Sequence, residues 1–222
     1  MFAIGYVFAQ EEKSEEEKKN YDKIYKYTLI SNDKKVGHGK AVATDWEAGV
    51  KVRVTSRFEA KVLGVEVKVD SKTFIKYNHE RRLTYYDIYS EGTLGTGRVV
   101  GKRKGKGWDI KRTEKGKTKS IRIEDKDYEQ NTYEPSLWSG KVGSKKTMIM
   151  FMAGQAKVNK ATITIIGREK AVVQGHETNV THYKVKGPKG EVEEWRTDEG
   201  PLVKSIINSK LGEVKVRLVE KK

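Results

Sequence analysis

The residues able to do acid–base or metal chemistry are few and widely spread. His38, His79, His176 and His182 are the only imidazoles, and there is no cysteine. His176 and His182 are six apart, so on one unbroken strand they share a face. Strand rise would still hold them about 20 Å apart, too far to chelate one ion. A site that adds His79 and Glu80 would need a distant arm, and the usual ligand spacings are missing. No metal and no cofactor is therefore expected. Without cysteine there is no disulfide framework, no thiolate zinc site and no cysteine nucleophile.

Other chemistries fare no better. Ser136 and Ser139 flank Trp138, but there is no G-x-S-x-G elbow, no H-E-x-x-H and no P-loop. Gly92 to Gly97 (GTLGTG) is glycine-rich, yet no helix follows to aim a dipole at phosphate, so it reads as a hairpin turn. Glu193, Glu194, Asp198 and Glu199 cluster near Trp195 and Arg196. A glycosidase pair needs two acids about 5 to 10 Å apart across a cleft; a solvated sheet edge explains the cluster more simply. No nucleophile–base pair is legible, and the expectation is that the protein is not an enzyme.

Charge is the strongest signal. Between Arg98 and Lys119, ten lysines and arginines face only Asp109 and Glu114, a net of +8 within a formal total of +15. The candidate anion-binding residues are Arg98, Lys102, Arg103, Lys104, Lys106, Lys111 and Arg112. Such a segment binds polyanions or lipid headgroups. It is also what an edge meander needs to stay soluble and to block edge-to-edge pairing. Lysine outnumbers arginine, which suits diffuse attraction better than bidentate phosphate recognition. Trp108 is the only aromatic residue inside the segment, too sparse for a single-strand stacking platform, and nucleic acid is disfavoured as a partner.

The elements that must carry these residues read as strands. From Val50 to Val62 the even-numbered set Val50, Val52, Val54, Ser56, Phe58, Ala60, Val62 alternates with Lys51, Arg53, Thr55, Arg57, Glu59 and Lys61. Period-two alternation gives a strand with one face in a core and one in water. At Leu63-Gly64 the phase slips to Val65, Val67, Val69, Ile75 and Tyr77, with Phe74 off phase. The slip is either a β-bulge or a tight reversal between two strands. Further strands are predicted over Ile24–Ser31, Lys35–Thr44, Arg82–Ser90, three short basic arms, Ala161–Ile166, Glu169–Val173, Val180–Lys186, Glu191–Thr197, Leu202–Asn208 and Glu213–Val219. Glycines 167, 175, 187, 190, 200 and 212 stand as breaks. Lys146–Met152 (KTMIMFM) fits a fully buried strand or a short helix, and Tyr128–Gly143 reads as an ordered loop. The predicted fold is all-β: one long antiparallel meander bent into a half-barrel or open barrel.

The apolar run Phe2 to Ala9, closing on Val7-Phe8-Ala9, resembles the end of an export signal, with a first strand or apolar tail as the competing reading. Residues 1–9 are thus expected to be a remnant of that signal, 10–20 (QEEKSEEEKKN) a charged spacer and 21–222 a single β domain. The expected location is periplasmic or extracellular, and no stretch is apolar for the ~18 residues a membrane span needs.

The order of features resembles a group of exported, uncharacterised β-rich bacterial proteins. The likeness rests on Lys35-Val36-Gly37, on the F-x-x-x-x-L-G-x-x-V join from Phe58 to Val67, and on Pro135 to Trp138 as P-S-x-W. It ends on Tyr183, Val185, Gly187, Trp195, Asp198, Gly200, Leu202, Val203 and Lys204. These are domains of unknown function. The resemblance implies a strongly bent antiparallel sheet, similar in shape to the half-barrels of Lol-type periplasmic lipoprotein carriers. The strong positive charge departs from many such proteins.

A bent sheet with little helix to cover it leaves an apolar concavity. Val54, Phe58, Tyr85, Tyr89, Trp138, Phe151 and Trp195 are the candidate lining, with core filling as the competing role. The expected function is a non-enzymatic binding protein of the cell envelope, with a lipid-like or apolar ligand in the curved sheet and a basic rim. Two other classes stand beside it: a structural or adaptor protein that docks an acidic partner, and a basic nucleic-acid-binding protein.

Overall fold

The computed structural model describes residues 22–62, 65–80, 82–93, 95–132, 140–173, 175–188, 190–197, 202–209 and 212–221. They form strands β1 (Lys23–Ser31), β2 (Lys34–Trp46), β3 (Gly49–Val62), β4 (Val65–Tyr77), β5 (Leu83–Gly92), β6 (Gly97–Arg103), β7 (Gly107–Glu114) and β8 (Lys117–Glu124). The second half gives β9 (Gln130–Asn131), β10 (Lys145–Met152), β11 (Lys157–Val173), β12 (His176–Gly187), β13 (Gly190–Thr197), β14 (Leu202–Ser209) and β15 (Gly212–Lys221).

All fifteen strands belong to one sheet, ordered β8-β7-β6-β5-β4-β3-β2-β1-β15-β14-β13-β12-β11-β10-β9. Sequence neighbours are spatial neighbours except at one place, between β8 and β9. The first and last strands meet in the middle of the sheet, where β1 pairs antiparallel with β15 from Tyr25–Lys221 to Ile30–Lys215. Both sheet edges therefore come from the middle of the sequence. Every pairing is antiparallel except the two-residue β9–β10 contact. The sheet is not closed into a barrel by hydrogen bonds.

Residues paired across strands share a face, and the register fixes which. Tyr25, Ala41, Val54, Thr73, Ile88 and Val99 form one row from β1 to β6; Ala43, Val52, Ile75 and Tyr86 form the next. Nearly all are buried in one cluster that also holds Trp108, Ile110, Leu202, Val214, Val216 and Leu218. This is the core face. The residues between, Lys51, Arg53, Lys72 and Lys102 among them, take the solvent face of β3 to β6.

The Leu63-Gly64 slip is a reversal rather than a bulge, since Val62 pairs with Val65 and the register runs unbroken back to Val50–Tyr77. Gly167 is the opposite case. It does not break a strand: β11 runs 17 residues through it, and the register shifts between Ile165 and Gly167. One long partner, β12, hydrogen-bonds on both sides of the shift, so the glycine serves as a bulge.

Lys146–Met152 lies in strand β10, and only its end at Met150 and Phe151 is buried on both faces, since Ile149 is exposed. Met148 and Met150 pack with Ala161 and Ile163, while Phe151, alternating with them, enters the main core. There its ring lies 5.8 Å from Trp108 and 6.2 Å from Tyr86. The far end of the sheet thus lies against the core face of β5 and β7, and the sheet is rolled so that its ends overlap.

Candidate functional site

The overlap is fastened by side chains. Trp108 Nε1 donates to Tyr128 Oη at 3.0 Å, and Arg103 Nη1 donates to the same oxygen at 3.2 Å. Tyr128 Oη in turn donates to Asp125 Oδ1 at 3.2 Å, and Arg103 also pairs with Asp125. Burial lifts the Tyr128 hydroxyl above its ordinary pKa, against the opposing pull of the Trp108 and Arg103 donors. On the neighbouring strand Arg112 Nη1 donates to the Gln155 carbonyl at 3.1 Å. Segment 129–132 then covers the β10 edge: Glu129 N–H donates to Ile149 O at 2.7 Å and Thr132 N–H to Phe151 O at 3.0 Å.

This geometry divides the candidate anion-binding set. Arg103 and Arg112 turn to the core face, where Arg112 also pairs with Glu114, and both hold the overlap together. Arg98 is on the solvent face but bound to Asp87 at 2.9 and 2.6 Å. Lys104 and Lys106 sit at the β6–β7 turn, Lys104 3.9 Å from Asp109. Lys102 and Lys111 are exposed on the solvent face. A contiguous run of basic residues is thus split by strand alternation into structural and solvent-facing halves.

The candidate apolar lining divides too. Val54 and Phe151 are buried in the main core and Phe58 packs against it. Tyr85 and Tyr89 are on the opposite face from Val54: their partners across β4 are Lys76 and Lys72, and Tyr85 meets Phe74 edge-on at 6.0 Å. The tyrosine on the core face is Tyr86, fully buried. Trp195 pairs with Lys204 and His182, in the register that alternates with Val216. It has its own cluster with Val180 and Val203, apart from the main core. Trp138, and with it Ser136 and Ser139, lies outside the described residues.

The dispersed polar residues are bound into separate contacts. His182 stacks on Trp195 with centroids 3.9 Å apart and lies 2.8 Å from Glu193 Oε2. Glu194, on the other face, accepts from Arg196 Nε at 2.8 Å. Adjacent Glu193 and Glu194 thus point to opposite sides of β13, and Asp198 and Glu199 lie outside the described residues. Among the described residues no group of three or more His, Asp or Glu side chains is placed to hold a metal ion.

One part of the core-face register differs from the rest. The row that begins at buried Val214 continues through Ile207, Val192 and Val185 to buried Ile163. Its ends belong to two different buried clusters, while the three residues between are only half-buried. The adjoining row holds Ser205, Glu194 and Tyr183. Together they make a partly exposed apolar strip across β12 to β14, with Ile207 packed against one cluster, Val185 against the other, and the Glu194–Arg196 ion pair along one side. Sequence alternation marks each of these strands as one-sided, but not which stretch of the face its neighbours leave uncovered.

An open antiparallel sheet rolled until its ends overlap defines the class: a β-barrel-like domain. Residues 27–219 match the family described as a domain of unknown function, DUF6134, and the chain belongs to that family. No curated protein matches it. Among solved structures, a β-barrel-like protein of domain of unknown function DUF1849 from Brucella abortus is similar over 90% of this chain and 97% of that one. Its TM-score is 0.63 at 8% identity, a likeness of fold. A "putative lipoprotein" from Parabacteroides distasonis aligns over the full length of both chains at 8% identity with a TM-score of 0.34. No helix among the described residues is long and apolar enough to cross a membrane.

Proposed function

We propose that this is a non-enzymatic binding protein of the cell envelope whose ligand is an apolar or acyl-like molecule laid on the apolar strip across β12 to β14. The observation that carries this reading is the half-buried row Ile207–Val192–Val185 between two fully buried ends. Apolar surface left open between filled regions is costly in water and is where small apolar ligands settle. Elsewhere the core face is occupied: Tyr25, Tyr27, Tyr77, Tyr86 and Trp108 fill the space over β1 to β7. The ligand site is therefore narrower than the whole concavity. The Glu194–Arg196 pair offers a polar partner to one end of an amphiphile.

Native mass spectrometry of the full chain, purified without detergent, tests this. A bound amphiphile is expected, and Val192→Glu should abolish it while the circular dichroism spectrum and melting temperature stay near those of the parent. Absence of any adduct, together with no binding of a fluorescent fatty-acid probe, overturns the reading.

A further inference from the structure

A second surface lies on the opposite side of the sheet. On β3 and β4, Lys51 and Lys76 are directly opposite each other. Like charges in that relation repel and destabilise a sheet. No acid stands between them; the Trp46 ring does, with Lys51 Nζ 4.0 Å and Lys76 Nζ 5.4 Å from its centroid. Lys76 is further enclosed by Phe74 and Tyr85, each 5.5 Å away. Arg53 stacks over the other side of this group, 5.7 Å from Phe74.

The patch continues across the sheet. Tyr85 pairs with Lys102 on β6, and Lys72 and Lys111 share the same face. Among the described residues, no acid forms an ion pair with Lys51, Arg53, Lys72, Lys76, Lys102 or Lys111, although Asp109 stands directly opposite Lys102 on the β6–β7 ladder. The nearby acids are engaged: Asp87 by Arg98 and Asp109 by Arg122 at 2.8 Å. Six cations on one sheet face, none of them in an ion pair because the acids beside them are held by Arg98 and Arg122, work against folding, and a local violation of that kind marks a functional surface.

We infer that this face docks onto the anionic surface of a phospholipid bilayer. The occupant follows from three features. Five of the six cations are lysines, compact point charges that suit a fluid array of headgroups better than the bidentate geometry of a fixed phosphate. Trp46, Phe74 and Tyr85 are interleaved among them, the mixture of rings and long cationic stems that partitions to a membrane interface. The ring faces already carry cations, so they are not free to stack nucleic-acid bases. This surface is separate from the apolar strip across β12 to β14 and does not depend on it.

Co-sedimentation of the full chain with vesicles of phosphatidylglycerol and phosphatidylcholine tests the inference. The protein should bind these in low salt, release in high salt, and ignore pure phosphatidylcholine. Lys51→Gln, Lys102→Gln and Lys111→Gln should each weaken vesicle affinity about fivefold, the equivalent of about 1 kcal/mol per cation at an anionic leaflet. Lys160→Gln on β11 makes the same change in net charge and should leave binding unchanged. Equal loss from Lys160→Gln, no vesicle binding, or tighter binding to a short oligonucleotide than to vesicles overturns it. Native mass spectra of the three variants should still show the amphiphile adduct if the apolar strip holds one, so the two ideas fail separately.

Discussion

At the scale of single residues, strand parity decides everything, and it is set by places where one residue is gained. On β5, Lys76 pairs with Tyr85 but Tyr77 pairs with Leu83, leaving Thr84 as an extra residue. The sequence Leu-Thr-Tyr-Tyr offers two adjacent tyrosines, and nothing local says which one follows the shift into the core. That is why Tyr85 reads as lining and Tyr86 does not, and the structure reverses them. Tyr86 owes its place to Gly101 across the β5–β6 ladder: a Cβ there would fall inside the ring's van der Waals envelope. Gly101→Ala should therefore displace the ring and cost about 1–3 kcal/mol in urea denaturation. Gly167→Ala, with nothing within 4 Å of the added carbon, should stay within about 0.5 kcal/mol of the parent. Similar losses at both positions would mean that the ring does not rely on the glycine.

At the scale of elements, alternation locates nearly every strand, from the basic arms of β6 to β8 to the closing β15. It fails where a glycine has two possible meanings. Gly95 lies in the β5–β6 hairpin turn, whereas Gly167 sits inside a continuous strand, and only the length of its partner β12 tells them apart. The fastening of the sheet's two ends is equally hidden, because Arg103, Trp108 and Tyr128 come together only through the roll. Its strength is testable at Tyr128, whose oxygen accepts from both Trp108 and Arg103. Tyr128→Phe leaves the fully buried Trp108 donor and the partly buried Arg103 donor without that acceptor, at a cost of about 1–3 kcal/mol. Hydrogen exchange at the Glu129 and Thr132 amides, which hold segment 129–132 on β10, should speed up more than exchange in β2 or β3. Uniform acceleration would place Tyr128 in the general core instead of the fastening.

At the scale of the whole molecule, β1 joins the two halves, and the sequence gives no local sign of its pairing with β15. Tyr27 stands at that junction, 2% exposed and paired with Leu218. Burial drives its hydroxyl pKa far above the ordinary value, with Arg196 pulling the other way and Tyr25 adding to the rise. The unfolded chain releases this proton near pH 10, while the folded chain keeps it. A group whose pKa is raised on folding contributes its full stability below the unfolded value and loses it as pH climbs towards the folded one. Stability should therefore fall above about pH 10, with Tyr27 contributing a slope of about 1.4 kcal/mol per pH unit. Tyr27→Phe keeps the ring and removes the titrating proton. Chemical denaturation of both proteins across the alkaline range should show a shallower decline for the variant, while the slopes agree below that range. Parallel alkaline slopes would show that Tyr27 ionises as readily in the fold as out of it, and that the junction of the two halves admits water.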